Sequence, residues 1–108
     1  MYDIQIDELV FSEDFKRIDG AGQKRIIKAV RKKLTAEPTA YGKPLSGQYK
    51  GFWKLKVGPY RVVYEILESK LIVYVIKVGY RRDFEVYKEL AKRLNPLTPS
   101  SGAKLASK

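Results

Sequence analysis

Apolar and polar residues alternate from the start of the chain: Tyr2, Ile4 and Ile6 interleave with Asp3, Gln5 and Asp7. A period of two predicts a strand with one buried face. The pattern then changes. Ser12 is placed to cap a short helix, with Glu13 and Asp14 in its first turn, Phe15 and Ile18 facing inward, and Gly20 and Gly22 ending it. A second helix is expected from about Gln23 to Ala36, where Ile26, Ile27, Val30 and Leu34 recur at helical spacing. Lys24, Arg25, Lys28, Arg31, Lys32 and Lys33 fill its other faces, and Pro38 stops it. Residues 37–50 contain Pro38, Gly42, Pro44, Ser46 and Gly47 and read as a loop.

Three more strands are expected, at about Phe52–Val57, Tyr60–Leu67 and Leu71–Val78. Gly58-Pro59 turns between the first two, and Glu68-Ser69-Lys70 between the second and third. These runs are β-branched or aromatic. The third is apolar on both faces, which places it centrally. A last helix, about Phe84–Leu94, sets Phe84, Tyr87, Ala91 and Leu94 on one stripe. The order predicts an α+β domain over residues 1–95. It has a small antiparallel sheet, an N-terminal strand plus a three-strand meander, with two N-terminal helices and a C-terminal helix packed on it. Residues 96–108 turn to Pro, Ser, Gly, Ala and Lys and read as a flexible tail.

A chain of 108 residues, 44% hydrophobic, suits one folded domain with a modest core. No apolar run reaches the ~18 residues of a membrane span, and the first residues lack the basic-then-apolar order of a signal peptide. Absence of cysteine excludes a disulfide framework and thiolate metal sites. The expectation is a cytoplasmic protein with no membrane partner. The formal net charge of +10 points to a polyanionic partner. The excess is uneven. Residues 1–47 hold nine basic and seven acidic side chains, whereas residues 48–94 hold eleven and five.

Within that second stretch Lys54 and Lys56 lie two apart on one predicted strand, so both leave the same face. A tight turn at Gly58-Pro59 sets Lys56 opposite Arg61, and directly opposed residues share a face. Trp53, Leu55, Val57, Tyr60, Val62 and Tyr64 take the other side. Three like charges so close are destabilising unless an anion neutralises them. Arg81 follows the last strand, and Tyr87 sits on the last helix, where its ring can pack while its hydroxyl or face meets a ligand. With no His and no Cys, this set suits phosphodiester chemistry, which needs mainly positioning and neutralised charge. Cleavage of RNA needs a base for the 2′-hydroxyl, charge stabilisation on phosphorus and an acid for the 5′-oxygen. Lysine is an ordinary acid near ~10.4, and neighbouring cations favour its neutral form; Lys56, between Lys54 and Arg61, is placed for that effect. Arg61 stays charged and serves as a clamp.

The segment Trp53-Lys54-Leu55-Lys56-Val57-Gly58-Pro59-Tyr60-Arg61-Val62-Val63-Tyr64, with Leu45-Ser46-Gly47 before it and Val75-Ile76-Lys77-Val78-Gly79-Tyr80-Arg81-Arg82 after it, resembles toxins of the RelE/ParE superfamily. The Leu-x-Gly and Tyr-Arg-Val-x-Tyr signatures mark the superfamily without separating its branches. Lys54, Lys56, Arg61, Arg81 and Tyr87 match the RelE branch, whose members are ribosome-dependent mRNA endonucleases. The resemblance implies Lys56 as general base, Lys54 assisting it and binding phosphate, and Arg61 stabilising the phosphorane. It makes Arg81 a stabiliser of charge or of the leaving group, and Tyr87 the group that orients the nucleotide. It implies no metal and no cofactor. It also implies a cognate antitoxin as partner, operator DNA bound through the antitoxin complex, and mRNA in the ribosomal decoding site as target, with the basic helix from Lys24 to Lys33 against ribosomal RNA. Pro59 departs from the Gly or polar residue frequent in such hairpins, which bears on the Lys56–Arg61 spacing. Two alternatives stand beside this reading: a ParE-type inhibitor of DNA gyrase, and a non-catalytic binding module that meets only an antitoxin or RNA.

Overall fold

The computed structural model describes residues 1–80 and 90–93 of the chain. Its strands are β1 (Asp3–Ile6), β2 (Lys43–Pro44), β3 (Phe52–Val57), β4 (Tyr60–Leu67) and β5 (Ile72–Tyr80). Its helices are α1 (Glu8–Ser12), α2 (Gly20–Leu34) and α3 (Pro38–Tyr41), and a 3-10 turn spans Asp14–Arg17. The fold is α+β, with one five-stranded sheet in the order β1-β5-β4-β3-β2.

The sheet is mixed rather than wholly antiparallel. β2, β3, β4 and β5 run antiparallel to their neighbours, but β1 pairs with β5 in parallel, from Asp3 opposite Ile72 to Ile6 opposite Val75. The connection from β1 returns through α1, α2 and the β2–β4 strands, long enough to permit a parallel pair.

The α1–α2 boundary also differs from expectation. Asp7, not Ser12, caps α1, accepting from the Leu9 N–H at 2.8 Å. Gly20 starts α2 rather than ending an earlier helix, because Asp19 caps it by accepting from the Gly22 N–H at 2.8 Å. Gly22, Ile26, Val30 and Leu34 form the buried stripe of α2, and Arg31, Lys32 and Lys33 occupy its last turn, where the helix dipole favours cations. Pro38 does not merely stop α2; it opens α3 at a position where its missing N–H costs nothing.

Two apolar clusters lie on opposite faces of the sheet. The larger joins Val10, Phe15, Ile18 and the α2 stripe to Leu55, Val57, Tyr60, Val62, Tyr64, Val73, Val75 and Val78. The smaller joins Val63, Tyr74, Ile76 and Leu90, with Leu45, Tyr49 and Phe52 packed against it. β5 therefore contributes to both, as its unbroken apolar run predicts. Tyr64 ties the loop to the sheet: its hydroxyl donates to the Pro38 carbonyl at 2.5 Å, and a Cβ on Gly42 would lie 1.7 Å from the Tyr64 hydroxyl oxygen. Burial pushes the Tyr64 hydroxyl well above its ordinary range.

Of the expected C-terminal helix, residues 90–93 are described and helical. Leu90 is the buried residue there, and Ala91, expected on the inward stripe, is half-buried. Phe84, Tyr87, Leu94 and the expected tail at 96–108 lie outside the described residues. Among the described residues no helix is long and apolar enough to cross a membrane.

Candidate functional site

The β3–β4 hairpin places the cations. Gly58 has φ +56°, and with Pro59 it forms a two-residue connection with glycine first, the II′ pattern whose twist suits a hairpin. Pro59 does not disturb the register: Lys56 stands directly opposite Arg61, and Lys54 opposite Val63. Lys54, Lys56 and Arg61 thus leave the sheet on one side, as the alternation predicts. Leu55, Val57, Tyr60, Val62 and Tyr64 leave on the other, in the larger core, with Trp53 packed against it. Lys56 is exposed, and Lys54 and Arg61 are half-buried.

A fourth cation joins them. Lys43, in the segment expected to be a loop, pairs with Lys54 across the β2–β3 ladder and so shares its face. Its signal was hidden, because a two-residue strand ending in Pro44 has no alternation to read. On the far side of β4, Gly79 of β5 stands opposite Arg61 and presents no side chain beside it. The result is a row of Lys43 and Lys54 next to a row of Lys56 and Arg61, with directly opposed Cβ atoms roughly 4.5–5.5 Å apart. Neighbouring ammonium and guanidinium groups at this spacing repel one another and favour a polyanion laid across them. Arg81 and Tyr87 lie outside the described residues; Arg81 follows Tyr80, the last residue of β5, directly in the chain.

The same face carries the acid Glu65 on β4. Glu65 pairs with Phe52 on β3 and with Tyr74 on β5. Its Oε1 is buried and meets no hydrogen-bond donor among the described residues, and burial raises its pKa above the usual carboxylate range. Burial likewise raises the Tyr74 hydroxyl, helped by its hydrogen bond to Asp7 and by the charges of Asp7 and Glu65. Among the described residues no group of three or more His, Cys, Asp and Glu is placed to hold a metal ion.

Comparison with known proteins places this geometry. Residues 9–84 match the family model described as the ParE toxin of type II toxin-antitoxin systems. A stretch of 41 residues is 46% identical to the mRNA interferase toxin RelE of Escherichia coli, covering 38% of this chain and 43% of that protein. The match to the mRNA interferase RelE of Shigella flexneri has the same extent. The chain therefore spans about two-fifths of the length of these relatives in the matched region. Among solved structures, a free arginine-substituted variant of Escherichia coli RelE superposes with a TM-score of 0.66 at 27% identity, covering 86% of this chain and 97% of that one. The toxin–antitoxin complex RelBE2 of Mycobacterium tuberculosis gives a TM-score of 0.69 at 22% identity over 74% of this chain and 98% of that chain, a likeness of fold. With a family model matched across most of its length and this sheet beneath its cations, the chain belongs to the ParE toxin family of type II toxin–antitoxin systems, within the RelE/ParE superfamily.

Proposed function

We propose that the chain is a toxin acting as a metal-independent, ribosome-dependent mRNA endonuclease. One observation carries this reading: Lys54, Lys56 and Arg61, joined by Lys43, project from one face of a single hairpin and its neighbouring strand while the larger core occupies the other face. The likeness to proteins named mRNA interferases supports it.

In the proposed reaction the 2′-oxygen of the nucleotide attacks the adjacent phosphorus. The 2′-O–P bond forms, the P–5′-O bond breaks, and a 2′,3′-cyclic phosphate and a 5′-hydroxyl result. Lys56, as general base, takes the 2′-proton, and a proton must reach the departing 5′-oxygen. Lys54 assists Lys56 and holds phosphate, Arg61 stabilises the phosphorane, Arg81 offsets charge at the leaving group, and Tyr87 stacks on or orients the base. In this proposal the ribosome supplies the in-line alignment of the 2′-oxygen, phosphorus and 5′-oxygen. The exposed cations Lys24, Arg25, Lys28, Arg31 and Lys32 of α2 add phosphate contacts to ribosomal RNA. A cognate antitoxin neutralises the toxin in the cytoplasm, and the pair binds operator DNA.

The match to the ParE family model favours a second reading, inhibition of DNA gyrase without RNA cleavage. The test runs both reactions on the purified chain. Cleavage of mRNA on programmed ribosomes, lost on Arg81→Ala and Tyr87→Ala, is expected. Inhibited supercoiling with intact mRNA would replace this reading with the second, and a chain inactive in both assays would leave a non-catalytic binding module.

A further inference from the structure

Between α2 and β2 the chain rounds the edge of the sheet. α2 packs on the larger core, on the face opposite the hairpin cations, and β2 is the last strand in the sheet order. α3 joins the two and ends at Tyr41. The residues exposed here lie between the two cationic surfaces of the molecule.

They are cations with a ring among them. Lys33, in the last turn of α2, holds its Nζ 5.7 Å from the centroid of the Tyr41 ring. Lys43 follows Tyr41 by two residues, a reach of at most ~7 Å. It is exposed and pairs with Lys54 of the cationic face. Lys33, Tyr41, Lys43 and Lys54 thus run from α2 around the β2 edge. Glu37, exposed at the opposite end of α3, is the acid nearest Tyr41 in sequence.

α3 is anchored without the Tyr41 ring. Pro38 is buried, its carbonyl accepts from the Tyr64 hydroxyl, and the Glu37 N–H donates to the Lys33 carbonyl at 3.1 Å. The Tyr41 side remains open: the residue is 53% exposed. An ammonium group engages one face of an aromatic ring and leaves the other. A ring face beside cations suits single-stranded nucleic acid, whose bases stack on the ring while its phosphates meet the charges. A paired base is already stacked in its duplex. An acidic peptide would use the cations and bring nothing to the ring.

We propose that Tyr41, with Lys33 and Lys43 beside it, is a stacking subsite for an unpaired base of a single-stranded RNA that continues onto Lys54. That the strand is RNA rests on the nuclease reading; the geometry of the subsite does not. The test uses the full chain without ribosomes and a short labelled single strand of 2′-O-methyl RNA, which has no 2′-hydroxyl to attack phosphorus. Tyr41→Ala is expected to weaken binding about tenfold, the scale of one stacked base, and to leave the salt dependence unchanged. Tyr41→Phe should bind as the native chain does. Lys43→Ala should instead lower the salt slope by about 0.7, the loss of one phosphate contact to a single strand. With the same strand annealed to its complement, Tyr41→Ala should change nothing. Native affinity in Tyr41→Ala, an equal loss on single strand and duplex, or no binding by the native chain would overturn the proposal. A lowered thermal midpoint with unchanged affinity would show a ring that only packs α3 on α2, and would overturn it too. The two readings fail separately. A chain that binds the strand through Tyr41 yet cuts no mRNA on ribosomes upholds this subsite and fails the nuclease reading; cleavage without such binding does the reverse.

Discussion

At the scale of residues, the proposed nuclease reading divides the cations by how each would meet a phosphate. Lys56 and Arg61 face each other across the hairpin, one pair from its turn. Replacing either by Ala is expected to lower the cleavage rate by about 10²-fold or more, as loss of a proton acceptor or of charge stabilisation does, without moving the thermal midpoint. Lys43 stands one strand further out. Lys43→Ala should raise KM by up to about tenfold with the rate constant held, the mark of a contact made equally in ground and transition states. Glu65 makes a prediction of the opposite kind. Its folded pKa is raised by burial, so the carboxyl favours folding below its unfolded value of ~4.3 and loses that contribution as pH rises through the folded value. Glu65→Gln, neutral at every pH, should therefore raise the melting temperature at pH 7, and the gain should vanish at pH 4.

At the scale of elements, the hairpin was legible and its surroundings were less so. Strict alternation from Trp53 to Val57, a glycine-first turn and Tyr60, Val62 and Tyr64 two apart beyond it leave one register that buries this apolar set on one face. Tyr2, Ile4 and Ile6 announce a strand equally well, yet alternation carries no direction, and the parallel pairing of β1 with β5 depends on a connection that local pattern does not contain. Gly20 and Gly22 looked like a helix end because glycine often terminates helices; the cap at Asp19 is what makes Gly20 a beginning. The burial of Lys77 has no local signal, since its partner Asp14 is 63 residues away and no local pattern marks a buried ion pair. Gly42 illustrates a close approach of the same hidden kind. Gly42→Ala would drive a methyl into Tyr64 and should cost about 1–3 kcal/mol, whereas Tyr64→Phe, which removes only the hydrogen bond to Pro38, should cost about 1 kcal/mol. Urea unfolding of both variants checks the difference.

At the scale of the molecule, cations among the described residues gather on two surfaces of a chain whose net charge is +10. α2 packs its apolar stripe on the larger core and leaves Lys24, Arg25, Lys28, Arg31 and Lys32 exposed. The hairpin presents the second set on the opposite side of the sheet. At the turn the two approach each other: a Cβ on Gly58 would lie 2.5 Å from the Arg25 guanidinium. A long polyanion can therefore be held by α2 while one of its phosphates, or one of a bound strand, meets the hairpin. Reversing Lys24 and Lys28 to Glu should weaken ribosome association and flatten its dependence on salt, leaving the single-turnover rate at saturation unchanged.

The central claim, that this face cuts RNA by attack of a 2′-hydroxyl, is tested most directly by mapping the ends of mRNA on programmed ribosomes incubated with the purified chain. New 5′-hydroxyl ends paired with 2′,3′-cyclic phosphates, absent with Lys56→Ala or Arg61→Ala, are predicted. Intact mRNA, or cleavage that persists at the native rate in both variants, would contradict it.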